Sequence, residues 1–163
     1  MGNGGKKVVY TSGSWDMFHV GHLNILERSK ALGDQLVVGV STDELIEEYK
    51  GMPPIIPFEE RFRIVQSIGC VDFAVRQTVL TEVAQLQEFD VDIVTIGDDW
   101  KGKHLDGLEW MKAQQGKEVV YLKYTPGVST TGIKRKIIQN SYEIISAEFK
   151  READHIEEWK NNH

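Results

Sequence analysis

Two short, near-continuous apolar runs constrain the fold of this chain more than any other feature: Gln35 to Val40 (QLVVGV) and Val91 to Ile96 (VDIVTI). Runs of this kind are strands buried on both faces, the mark of a parallel sheet covered on two sides. Parallel strands need crossover segments rather than tight turns, and the sequence between the runs supplies them. Val8 to Tyr10 reads as a first strand emptying into a loop at Ser12, Gly13 and Ser14. From Gly21 to Ala31 the apolar residues recur at helical spacing, with Gly33 as the stop signal. Asp43 to Lys50 predicts a short helix, whereas Gly51 to Pro57 holds three of the four prolines and predicts a shaped loop.

Phe58 to Ile68 returns to helical period, Val71 to Val75 predicts an edge-like strand, and Thr81 to Phe89 another helix. Gly97 to Lys103 is a polar turn, Leu108 to Gln114 a helix, Glu118 to Tyr124 a strand, and a helix begins about Thr130. Strands and helices alternating in this way predict an α/β fold, a doubly wound parallel sheet in three layers, α/β/α. The boundaries expected are a core over residues 1–140 and an amphipathic helical extension over 141–163. In that extension Ile145, Phe149, Ala153, Ile156 and Trp159 recur at intervals of four and three on an otherwise charged helix. Such a stripe serves either docking on its own domain or a partner, most simply a second copy of the chain.

Composition narrows the function classes. Nineteen Lys and Arg against 25 Asp and Glu leave a net charge of −6, so no general basic field is available for a nucleic-acid backbone or an anionic membrane. A polyanionic ligand must be met by a local cluster. The one cysteine, Cys70, suits a reducing compartment and argues against structural zinc. With neither a signal peptide nor a membrane span in view, a cytoplasmic address is expected.

Sheets of this class bind ligands where loops leave the carboxyl ends of the strands, and three polar clusters fall there. In SGSWDMFHVGH, from Ser12 to His22, two histidines three apart straddle Gly21 at the start of a helix. This puts His19 and His22 on one side, beside free backbone N–H groups and the positive end of the helix dipole, a natural phosphate site. An i,i+3 pair also suits a metal, although no third His or Cys stands nearby. Ser129, Thr130 and Thr131 open the last core helix as an N-cap or as donors to an anion. Asp98, Asp99 and Trp100 form an Asx turn, or carboxylates for Mg²⁺, a base or a ribose. Lys50 and Arg61 add the cations that an acidic protein needs near a triphosphate.

His19-Val20-Gly21-His22 after a Gly-x-[Phe/Trp]-Asp turn, Lys50-Gly51 before a Pro-rich loop, Glu60-Arg61, and Gly127-Val128-Ser129-Thr130-Thr131 together resemble the HxGH cytidylyltransferases. The likeness spans roughly Lys6 to Ile138 and implies a Rossmann-like nucleotidyltransferase fold. The turn from Gly97 to Lys103 is similar to that of the glycerol-3-phosphate cytidylyltransferase branch. Lys50 to Pro54 with Glu59 to Arg61 looks as much like the choline-phosphate and ethanolamine-phosphate branches. One departure stands out: the family's Arg before Thr-x-Gly is Tyr124 here.

The resemblance implies transfer of CMP from CTP to a small phosphorylated alcohol, with glycerol-3-phosphate foremost and other phosphorylated acceptors, or a non-catalytic nucleotide-binding regulator of the same fold, as alternatives. It assigns His19, His22 and Lys50 to catalysis, and Ser12, Gly13, Ser14, Trp15, Asp98, Trp100, Ser129, Thr130 and Thr131 to the nucleotide. Asp16, Lys50, Arg61 and Tyr124 fall to the acceptor. Mg²⁺ is expected with CTP, and a homodimer as the assembly.

Overall fold

The computed structural model describes residues 5–161, with side chains of the last helix as far as residue 158. Trp159, placed in the apolar stripe above, therefore lies outside the described side chains. The chain divides into two compact units, Met1–Pro126 and Gly127–His163.

The first unit carries five strands: β1 (Val8–Gly13), β2 (Gln35–Ser41), β3 (Phe73–Gln77), β4 (Ile93–Gly97) and β5 (Glu118–Leu122). All pair in parallel, in the order β3-β2-β1-β4-β5. The helices between them are α1 (Val20–Lys30), α2 (Asp43–Lys50), α3 (Phe58–Gln66), α4 (Val83–Glu88) and α5 (Asp106–Ala113). The chain winds outward from β1 to one edge and then returns to build the other, so strand order reverses between β1 and β4. That switch point is where such sheets open a crevice.

Alternation along the strands builds two cores. Val9, Leu36, Val38 and Val40 point to one face, where Leu26 of α1 and Phe58 and Val65 of α3 cover them. Val8, Tyr10 and Val37 point to the other, against Leu86 of α4 and Leu108 and Met111 of α5. The α/β/α layering follows from this period of two applied to runs that are apolar on both faces.

Three aspartates anchor the amino edge of the sheet. Asp34, Asp92 and Asp72 accept the backbone N–H groups of Lys7, Val8 and Leu36 at 2.8, 2.7 and 2.7 Å. Each satisfies a donor at a strand start and fixes the neighbouring loop.

Several boundaries differ from expectation; β5, for one, ends at Leu122 rather than Tyr124. Ser12 and Gly13 continue β1 rather than forming a loop, because Ser12 pairs with Gly39 and Gly13 with Val40. The edge strand runs Phe73–Gln77 rather than from Val71, since Val71 donates to Ile68 O in the turn closing α3 and Asp72 is spent as an anchor.

The second unit contains α6 (Thr130–Asn161), one helix of 32 residues that continues unbroken past residue 140. Among the described residues no helix is long and apolar enough to cross a membrane.

Candidate active site

The loop from β1 to α1 is built around an unusual backbone. Trp15 and Met17 both hold positive φ, 52° and 50°, in the left-handed region that non-glycine residues rarely occupy. Burial over-determines the first of these: the Trp15 ring is buried, and its Nε1–H donates to Gly39 O at 2.9 Å. Position 39 is held to glycine by a different contact, because a Cβ there would collide with the Tyr10 hydroxyl and Ser12 Cβ.

On this platform stand the two histidines. His19 is the N-cap of α1, in extended conformation, and its carbonyl accepts from the N–H groups of His22 and Leu23. The first turn of α1 has no acidic residue to neutralise the positive end of the helix. The rings of His19 and His22 stack at 3.9 Å between centroids with 13° between planes. Trp15 meets His22 edge-on at 5.5 Å, and Phe18 lies at 5.4 Å. His22 Nδ1 is buried and finds no hydrogen-bond partner among the described residues.

Burial, then the neighbouring His19 and the charge of Lys50, pushes His22 down from 6.5 to about 4, against an opposing pull from Asp16. Burial likewise lowers His19. Both imidazoles are therefore neutral at pH 7, and each can donate one N–H to an anion.

Lys50 ends α2 and donates from Nζ to Ser14 Oγ at 3.1 Å, reaching across to the β1 loop. Gly51 then turns the chain in the left-handed conformation, φ 75°. Asp16 and Arg61 hold the proline loop that follows. The buried Asp16 carboxylate accepts from the N–H groups of Ile55 and Ile56 at 3.0–3.1 Å. Arg61, fully buried, donates from Nε to Ile56 O at 2.8 Å, from Nη1 to Ser14 O, and from Nη2 to Asp43 Oδ1 at 2.6 Å. Asp43 also accepts from Phe58 N–H at 3.2 Å. In this structure Asp16 and Arg61 are braces that fix the loops carrying Ser14 and Lys50.

At the end of β4 a single 3₁₀ turn, Asp98–Trp100, leaves both carboxylates exposed. Tyr124, just beyond β5, donates its hydroxyl to Asp99 Oδ1 at 2.9 Å. Partial burial and the carboxylates of Asp99 and Asp98 raise the Tyr124 pKa, so the phenol stays protonated. Gly97 leaves the room for this pair, since a Cβ would strike both partners. Lys103 Nζ sits 4.7 Å from the centroid of the Trp100 ring.

In the second unit Ser129 precedes α6, and its Oγ accepts from Gly132 N–H at 3.0 Å, an N-cap bond. Thr130 and Thr131 form the first turn of that helix.

Within the first unit the structure thus brings His19, His22, Trp15, Ser14 and Lys50 together. Sequence reading missed Gly39, Asp43 and Tyr49. Burial raises the pKa of the Tyr49 hydroxyl, with Ser41, Ser14 and Arg61 opposing it. Glycine in the middle of an apolar strand was the one available signal for Gly39.

Comparison with known proteins bears on the family and the fold. Residues 10–136 match the family described as cytidylyltransferase-like. The chain belongs to the cytidylyltransferase-like family. It is 40% identical over 130 residues to the glycerol-3-phosphate cytidylyltransferase of Bacillus spizizenii, covering 79% of this chain and 95% of that enzyme. It is 35% identical over 137 residues to the bifunctional protein HldE of Citrifermentans bemidjiense, covering 83% of this chain but 28% of that protein. Among solved structures, the lipopolysaccharide core biosynthesis protein from Thermoplasma volcanium superposes with a TM-score of 0.62 at 30% identity, over 74% of this chain and all of that one. The cytidylyltransferase-like core therefore ends close to where α6 begins.

Proposed function

We propose that this cytidylyltransferase-like protein transfers CMP from CTP to a small phosphorylated alcohol, foremost glycerol-3-phosphate, releasing pyrophosphate. The observation that carries this reading is the stacked, neutral His19–His22 pair at an uncompensated helix start, beside Lys50 on Ser14. The near-complete coverage of a glycerol-3-phosphate cytidylyltransferase supports the acceptor.

An oxygen of the acceptor phosphate attacks the α-phosphorus of CTP in line, and the bond from that phosphorus to the bridging oxygen breaks as pyrophosphate leaves. The attacking oxygen is already ionised at neutral pH, so no general base is required. The protein must instead bring two polyanions together and stabilise charge spread over the equatorial oxygens. His19 and His22 donate to the α and β phosphates, and Lys50 bridges the acceptor and α phosphates. Asp16 and Arg61 serve the acceptor through the loop they hold. Ser12, Gly13, Ser14, Asp98 and Trp100 belong to the nucleotide side, with the buried Trp15 propping the loop beneath them. We further propose a cytoplasmic homodimer.

No group of three or more His, Cys, Asp or Glu among the described residues is placed to hold a metal ion. Mg²⁺ is proposed as the companion of the triphosphate.

Tyr124 favours a second reading of the acceptor. Where an Arg would present a fork of charged donors, this chain presents one hydroxyl already committed to Asp99, which suits an acceptor other than glycerol-3-phosphate. Pyrophosphate release measured for four nucleoside triphosphates against glycerol-3-phosphate, phosphocholine, phosphoethanolamine and a sugar phosphate tests both. CTP with glycerol-3-phosphate should give the highest kcat/KM. A preference for another acceptor supports the second reading, and release with ATP but not CTP overturns the first.

A further inference from the structure

From residue 135 to residue 158 every residue of α6 is exposed, yet this stretch is not uniformly polar. Ile138, Tyr142, Ile145, Phe149 and Ile156 are 50–72% accessible. With Glu152 between the last two, they lie at intervals of 4, 3, 4, 3 and 4, a heptad seam along one side of the helix. A long helix gains most of its stability by burying such a seam. The family match stops at residue 136, so the seam lies outside the family core.

Two features indicate what covers it. Read from either end, the intervals are the same, so the seam is complementary to its own reverse. Charge is also ordered along the helix: Lys134, Arg135 and Lys136 precede any carboxylate, whereas Glu148, Glu152, Asp154, Glu157 and Glu158 outnumber Lys150, Arg151 and Lys160 near the other end. This is the opposite of what a helix's own dipole favours, acids first and bases last. Beside a reversed copy, each basic start lies against an acidic end. The acidic half is unsuited to an anionic lipid surface, which calls for basic flanks.

We propose that α6 pairs antiparallel with α6 of a second copy of this chain, with the seam centred between Ile145 and Phe149. Ile138 then opposes Ile156, Ile145 opposes Phe149, and the Tyr142 hydroxyl meets the Glu152 carboxylate. The contact is isologous and closes at two chains. It rests on the helix alone, and its test reads association rather than turnover.

Light scattering of the full chain should give twice 18.5 kDa, and the Ile145→Glu, Phe149→Glu variant should give half that mass. Both side chains are exposed, so near-ultraviolet circular dichroism of the core should be unchanged. Direction is read by disulfide capture in a Cys70→Ser background. Ile138→Cys protein mixed with Ile156→Cys protein should form cross-linked dimers on oxidation, and neither should do so alone. A monomeric wild type, a double variant of undiminished mass, or self-cross-linking of Ile138→Cys would each overturn the proposal. So would a monomer that sediments with phosphatidylserine vesicles.

Discussion

At the residue scale, the stacked histidines set the chemistry. Two unit charges about 4 Å apart repel by roughly 1 kcal/mol in water and about 4 kcal/mol in the medium typical of a protein surface. Rings at 3.9 Å therefore keep their stack only while at most one of them is charged. A triphosphate arriving at the start of α1 changes that balance, because its charge favours N–H donation from both rings. Donors aimed at developing charge act mostly on kcat: loss of one typically removes about 10²- to 10³-fold in rate. His22→Ala should thus lower kcat by that order while KM for CTP changes little, as steady-state pyrophosphate release will show. Near-normal turnover would remove His22 from the phosphate site. The HxGH spacing made these residues legible in sequence, since a helix start with two nearby imidazoles is local. Trp15 was legible as a motif residue but not as a buried prop with left-handed backbone, because its partner Gly39 lies 24 residues away.

At the element scale, one side chain joins three segments. Arg61 on α3 spans the proline loop at Ile56, the β1 loop at Ser14 and the start of α2 at Asp43. In sequence Arg61, just after Glu59 and Glu60, reads as a cation for an anionic ligand, yet the structure buries it completely. Removing one partner of such a group leaves carbonyls and a carboxylate without their donor, at a cost of roughly 2 to 4 kcal/mol. Arg61→Ala should lower stability by about that amount in urea unfolding. Asp43→Ala added to it should cost less than it does alone, because the two share one interaction. Full additivity would show that the bond to Asp43 is energetically idle.

At the scale of the whole molecule, the site trades stability for its neutral histidines. In the folded chain His22 titrates near 4, whereas its ordinary value is 6.5. Between those values the unfolded chain binds the extra proton, so stability is complete above about pH 6.5 and falls as pH drops toward 4. At pH 5 the loss attributable to His22 is on the order of 1 to 2 kcal/mol. Urea midpoints at pH 7 and pH 5 should therefore differ more for the wild type than for His22→Asn. Equal differences would mean that the ring is not desolvated in the folded state.

The parallel α/β plan is legible in the chain itself, since short, near-continuous apolar runs alternating with helical patterns read as strands covered on both sides, and so is the histidine pair at a helix start. Both are consequences of local pattern. Long-range packing settles that β1 extends to Gly13, because a strand ends where its neighbour stops pairing. It alone turned Asp16 and Arg61 into braces and joined Tyr124 to Asp99 across 25 residues. Hydrogen bonds between distant segments leave no periodicity behind, so which polar side chain is spent inside the fold, and which is left for a ligand, is written in no local stretch of the chain.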